Sequence, residues 1–159
     1  MFVKSLVATT AAAAVGAATL LPLSSAPAAP TGTFTLQSRL DKTTLHRIDN
    51  GKRGPSAGDV TVLATALVRD GKPAGRALYV HTSVDDHYRG VSMIAHLLLP
   101  DGTLELHGEA LERKAPGLGN PPEESDLAIV GGTGAYAGAT GTVHPVDVGS
   151  RQDLTVNLG

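Results

Sequence analysis

The chain has 159 residues, with 13 lysines and arginines against 15 aspartates and glutamates, a balance that argues against nucleic acid or an anionic membrane surface as partner. It contains no cysteine, so neither disulfides nor thiolate metal sites hold it together. Two phenylalanines, three tyrosines and no tryptophan are a poor supply for a pocket that recognises rings by stacking.

The N-terminus carries the three regions of a secretory signal peptide: Lys4, an uncharged alanine-rich stretch from Leu6 to Leu23, and Ala26-Pro27-Ala28. A membrane anchor would need about twenty strongly apolar residues, and this stretch is diluted by Thr9, Thr10, Gly16, Thr19 and Pro22. Cleavage after Ala28 is expected, giving a secreted single domain of residues 29–159 with no membrane attachment. Removing residues 1–28 takes away one lysine and no acid, leaving twelve basic against fifteen acidic residues and a formal charge of −3.

Beyond a short lead-in, apolar and β-branched runs recur at Phe34–Leu40, Val60–Val68, Arg76–Val84, Val91–Leu99, Thr103–Leu111, Leu127–Val130, Thr140–Val148 and Asp153–Leu158. A polar loop is expected at 41–57, and turn signals lie at Arg69–Gly75, Val84–Gly90, Pro100–Gly102 and Ala115–Ser125. No segment of the mature chain has a helical period. Eight short, evenly spaced strands predict an all-β barrel or sandwich.

Alternation assigns faces. In Thr103–Leu111, Leu104, Leu106, Gly108 and Ala110 share one face and Thr103, Glu105, His107 and Glu109 the other, a clear apolar-in, polar-out strand. Proline and glycine in Pro100-Asp101-Gly102 suit a three-residue loop with a bulge, with the glycine at the left-handed position. That register places Leu98, His96, Ile94 and Ser92 inside, whereas a two-residue turn would send His96 outward. The strands Val60–Val68 and Val91–Leu99 are apolar on both faces, which predicts that another subunit covers part of the exterior.

The run Asp126–Val143, DLAIVGGTGAYAGATGTV, is the most specific segment. Gly132-Thr133-Gly134 with Ala137 imitates a dinucleotide-binding fingerprint, but Gly138, Gly141 and Pro145 forbid the helix that such a site requires, and no acidic residue follows at the required distance. A strand, a glycine-dense corner and a second strand remain, with Tyr136 packed in the corner. This run closely resembles the signature of the dirigent proteins and allene oxide cyclases. Gly58-Asp59 before an apolar strand, GRALY at Gly75–Tyr79, PDGTLELHGEAL at Pro100–Leu111 and the closing strand at Asp153–Leu158 follow in the order of that family. The resemblance covers most of the chain after about residue 33. It implies an eight-stranded antiparallel β-barrel of allene oxide cyclase/dirigent type, without a cofactor, commonly trimeric, that holds a small hydrophobic molecule in its mouth.

The dirigent pattern also implies two interior acids and an arginine, and an ungapped comparison puts these at Ser38, Ala110 and Thr140. All three depart from the pattern, and neither serine nor threonine can serve as a carboxylic acid near neutral pH. Candidate catalytic residues are therefore the interior His81, His96 and Tyr79, histidine being the natural proton carrier near neutrality. Ser38, Ser83, Ser92, Leu104, Leu106 and Thr140 are candidate ligand contacts. Asp85-Asp86-His87 could be taken for a metal cluster, but it lacks a spaced partner motif and reads as a solvated turn, so no metal site is expected. No Gly-x-Ser-x-Gly elbow occurs, which disfavours hydrolysis. Two functions stay open: a cofactor-free cyclase or isomerase of allene oxide cyclase type, and a non-catalytic barrel for ligand binding or extracellular interaction.

Mass spectrometry of the exported protein should find Ala29 at its N-terminus. An intact leader retained in the membrane fraction would overturn the signal-peptide reading.

Overall fold

The computed structural model describes residues 28–84, 90–111 and 125–159. The expected leader up to residue 27, Asp85-Asp86-His87 and nearly all of the Ala115–Ser125 loop lie outside the described residues. The strands are β1 (Gly32–Ile48), β2 (Val60–Arg69), β3 (Lys72–Ser83), β4 (Gly90–Leu99), β5 (Gly102–Leu111), β6 (Leu127–Gly134), β7 (Gly141–Val148) and β8 (Arg151–Leu158). They form a closed barrel in sequence order, every neighbouring pair antiparallel. The β6–β7 seam is the shortest, three residue pairs joining Leu127, Ala128 and Ile129 to Val143, Thr142 and Gly141.

β1 makes the closure possible. Its first half, Gly32–Arg39, pairs with β8, and the stretch from Gln37 to Ile48 pairs with β2 across a register shift between Arg39 and Thr44. The polar stretch after Leu40, expected as loop, is strand to Ile48. Leu45 stands opposite Leu63 and Arg47 opposite Thr61. Backbone groups on the upper part of β2 need a ladder partner, and that demand outweighs the weak strand propensity of the segment.

The connections β2–β3, β4–β5 and β6–β7 share one end of the barrel, here the lower end. Asp70 and Gly71 both have positive φ, 51° and 75°, as the two-residue turn of a hairpin requires. Below the packed core of Leu36, Leu67, Leu97, Leu104, Leu106, Val143, Leu154 and Val156, all essentially inaccessible, Phe34 and Tyr136 close this end. Their ring centroids are 6.3 Å apart, the Arg69 guanidinium lies 4.5 Å over the Phe34 ring, and the Tyr136 hydroxyl donates to Asp101 Oδ2 at 3.3 Å.

The β4–β5 turn corrects the expected register. Leu99 pairs with Gly102 and His96 with Glu105, so only Pro100 and Asp101 form the turn. Val91, Met93, Ala95 and Leu97 therefore point inward, and Ser92, Ile94, His96 and Leu98 outward. Gly102 is required for another reason than a left-handed turn: it pairs with Gly134 of β6, and a Cβ there would collide with the Thr133 carbonyl oxygen. The outer wall of β2 to β4 remains apolar, with Val62, Val80 and Ile94 in one cross-strand row and Ile94 42 % exposed.

Gly134 combines φ of 61° with a Cβ position that would collide with the Asp101 carbonyl. Gly134→Val should lower the stability of the barrel by about 1 to 3 kcal/mol or more. A denaturant midpoint equal to that of the parent would show that the corner relaxes freely.

Candidate functional site

Polar side chains enter the barrel above its packed core, mainly from three adjacent strands. Ser38 comes from β1, Thr61 and Thr65 from β2, and Tyr79, His81 and Ser83 from β3. Register aligns them, since Leu63 pairs with Tyr79, Thr61 with His81, and Thr65 with Ala77. On β2, and on β3 as far as His81, exposure rises toward the upper end, whereas Ser83 above His81 is buried again. Thr65 and Tyr79 are buried, Leu63, Thr61 and His81 half-buried, and Arg47, on the inward face beyond them, is exposed. Among the described residues the floor is dry, and Thr61, His81 and Arg47 above it reach solvent in part or in full.

At this floor the Ser38 and Thr65 hydroxyls are 2.6 Å apart and satisfy each other. Tyr79 is only 8 % exposed, and its hydroxyl has no hydrogen-bond partner among the described residues. Burial pushes its pKa up to about 12, only partly opposed by the nearby Ser38 hydroxyl, so the phenol is neutral and able to donate at any physiological pH. The His81 ring meets Tyr79 edge to face, centroids 6.3 Å apart. Burial lowers the His81 pKa, because charging an imidazole with little water around it is unfavourable. Near neutral pH His81 is thus a neutral acceptor and donor.

The β1–β2 connection braces this wall. The Asp59 carboxylate accepts from the backbone N–H groups of Asn50 and Ser56, both at 2.9 Å, and from the Ser56 hydroxyl at 3.2 Å. Backbone bonds from Gly58 N to Ser83 O (2.8 Å) and from Ser83 N to Asp59 O (2.9 Å) fasten the loop to the upper end of β3. Gly58-Asp59 is therefore a structural latch beside the mouth, and Ser83 is buried under it.

Of the sequence-derived candidates, Ser38, Tyr79 and His81 come together, with Ser83 at the upper end of the same wall. Leu106 lies in the interior row Leu106–Ala95–Tyr79, and Leu104 is in the packed core beneath it. Three candidates are corrected. His96 and Ser92 face outward, because the two-residue turn shifts β4 by one residue and so reverses its faces. Thr140 is exposed near the lower end, its hydroxyl donating to the Gly159 carbonyl. Among the described residues no group of three or more histidines and carboxylates could hold a metal.

Sequence reasoning missed a polar pair on β7 and β8. Asp147 pairs with Gln152, and Gln152 with Ser38, so all three share the inner face. Gln152 Nε2 donates to Asp147 Oδ1 at 3.1 Å. Partial burial raises the Asp147 pKa, with the Gln152 bond acting in the other direction. Alternation through Val143, Pro145 and Asp147 was a sufficient signal for this residue.

No protein-family model matches the chain, and neither does any curated protein. Among solved structures it is similar to a pyocyanin demethylase, with a TM-score of 0.63 and 22 % identity over 80 % of this chain and 100 % of the other. It is also similar to a pterocarpan synthase dirigent protein, with a TM-score of 0.53 and 20 % identity over 81 % of this chain and 84 % of the other. The fold is thus the eight-stranded barrel of the allene oxide cyclase/dirigent type. At these identities the likeness defines the architecture, and the chemistry has to be argued from the side chains.

A histidine whose pKa is lower in the folded chain binds its proton more readily when unfolded. The contribution of neutral His81 is therefore fully present above its unfolded pKa, about 6.5, and is lost as pH falls below that value. Between pH 7.5 and 5.5 the denaturant midpoint of the parent should fall more than that of His81→Gln. Parallel pH profiles would show that His81 is freely hydrated in the folded state.

Proposed function

We propose that this chain is a secreted barrel that binds a small, largely apolar molecule through its upper mouth and guides its cyclisation or isomerisation by confinement, without a cofactor. The observation that carries the reading is the buried, unpartnered Tyr79 hydroxyl beneath half-buried His81. An orphaned donor at the floor of an apolar barrel is unfavourable by about 1 to 3 kcal/mol, and an acceptor atom on a ligand would remove that penalty. Restricting a reactive molecule to few conformations can supply rate and stereochemistry without a group that forms bonds to it. His81 and Tyr79 would shift protons. Both similar structures are named for action on small molecules, pyocyanin in one case and pterocarpan in the other, which supports the class of ligand.

A second reading, a barrel that binds without catalysing, is favoured by Ser38. At a position where the dirigent pattern has an acid, this chain has a serine whose hydroxyl is tied to Thr65. Under that reading the same mouth holds a ligand and releases it unchanged.

Calorimetry with 2-naphthol as a neutral two-ring probe tests what the two readings share. Saturable one-to-one binding is expected, weakened severalfold to about tenfold in Tyr79→Phe, as the loss of one hydrogen bond of about 0.5 to 1.5 kcal/mol implies. Absence of saturable binding would remove both readings. Where a substrate is turned over by proton transfer, His81→Ala should reduce the rate by about 10² to 10⁴; an unchanged rate would remove His81 from the mechanism, and a bound ligand recovered unchanged would leave the binding-only reading.

A further inference from the structure

The closed order β1 to β8 sets β7 four strands from β3 in either direction, so these two strands face each other across the barrel. Height can be followed through the register. From Ile129 of β6, successive partners run through Leu106, Ala95, Tyr79 and Leu63 to Leu45 of β1, while in the other direction they run through Gly141 and Leu158 to Gly32 of the same strand. The row thus climbs toward the mouth as it passes from β6 to β3, as strand tilt in a barrel requires. Asp147 lies six residues above Gly141 on β7, which brings it to about the level of Tyr79 and His81 on the facing wall.

The two walls differ in chemistry. Tyr79 offers a hydroxyl that is buried and without a partner. Asp147, exposed on the inner face by register, has one carboxylate oxygen engaged by Gln152 and no hydrogen-bond partner for the other among the described residues. An ionised carboxylate only accepts, whereas a neutral phenol can donate. An eight-stranded barrel is wide enough for one small ligand between its walls.

We propose that the upper barrel is a two-ended site for a rigid, ring-bearing molecule, with an acceptor oxygen or nitrogen meeting the Tyr79 hydroxyl and a hydroxyl or N–H group at the far end donating to Asp147, which Gln152 holds in place. The proposal rests on the ligand-binding reading above and names its substrate class. Rigidity follows from the fixed separation of the two walls, since a ring system keeps two polar ends apart without the ordering loss of a flexible chain. Recognition by the ends of the molecule also suits a chain with so few aromatic side chains for stacking. Arg47, exposed on the inward face beyond Thr61 and His81, is a cation above the floor and sets the competing possibility, an anionic ligand.

Calorimetry on the mature chain with 2-naphthol, 2,6-dihydroxynaphthalene and 2-naphthoate tests this. The diol should bind about tenfold more tightly than 2-naphthol, since its second hydroxyl donates to a charged acceptor. In Asp147→Ala that advantage should shrink to about threefold or less while 2-naphthol binds as before, and Gln152→Ala should reduce the advantage in part. Both substitutions are at the mouth, outside the packed core, and an unchanged thermal midpoint establishes that each variant is folded. Equal affinity for the diol and 2-naphthol, persistence of the advantage in Asp147→Ala, or tightest binding of 2-naphthoate would overturn the two-ended site while leaving ligand binding intact. If none of the three probes binds, the ligand-binding reading itself falls, and this proposal with it.

Discussion

Pairing of β1 with β8 closes the ring, and every other property of the interior depends on it. The eight residue pairs from Gly32↔Leu158 to Arg39↔Arg151 join the ends of the chain without a disulfide. Once the ring is closed, each strand has one inward and one outward face, and the interior width is set by strand number and tilt. β1 can serve both β8 and β2 because it is 17 residues long and shifts register midway. Local corner-closing contacts, the Phe34–Tyr136 pair below and the Asp59 latch above, act on a cylinder that this pairing has already defined.

Within the cylinder, polar side chains are confined to the upper half. The lower half is leucine and valine, closed beneath by rings and by the close approach of β5 and β6 around Gly102 and Gly134. The upper half has Thr65, Tyr79 and His81 on β2 and β3, Asp147 on β7 across from β3, and the paired Ser38 and Gln152 on β1 and β8 between them. A buried polar group is tolerated when it is paired, as Ser38 and Thr65 are. Tyr79 departs from that rule, and it is this departure that the proposed function rests on.

The resemblance to dirigent proteins leads to the right architecture and would mislead about chemistry if residue roles were transferred with it. Neither Ser38 nor Thr140 can replace an acid or an arginine, and Thr140 is bound to the Gly159 carbonyl far from the mouth. The acid on the inner face near the upper end, Asp147, is on β7, two strands from Ser38 in the same cross-strand row. A shared barrel does not carry its chemistry with it when the polar groups differ.

How much was legible can be argued strand by strand. Alternation in Thr103–Leu111 assigned Leu104 and Leu106 to the interior, because that face is dry and the other is charged. Alternation in Arg76–Val84 likewise assigned Tyr79, His81 and Ser83. β4 was illegible for the opposite reason, as its two faces are similarly apolar, so its orientation hung on one turn. Gly102 looked like a turn residue and is in fact a point of contact with β6, a neighbour about thirty residues away along the chain. The upper half of β1 was hidden because a polar segment becomes strand only where β2 needs a partner. By itself the sequence determined the all-β class, the number of strands, the glycine corner and the inward face wherever one face was clearly polar, all of which follow from local backbone preference and period-two patterning. Only the tertiary structure decided the register of β4, the length of β1 and the opposition of Asp147 to Tyr79, because each depends on which strands meet across the closed ring and at what height.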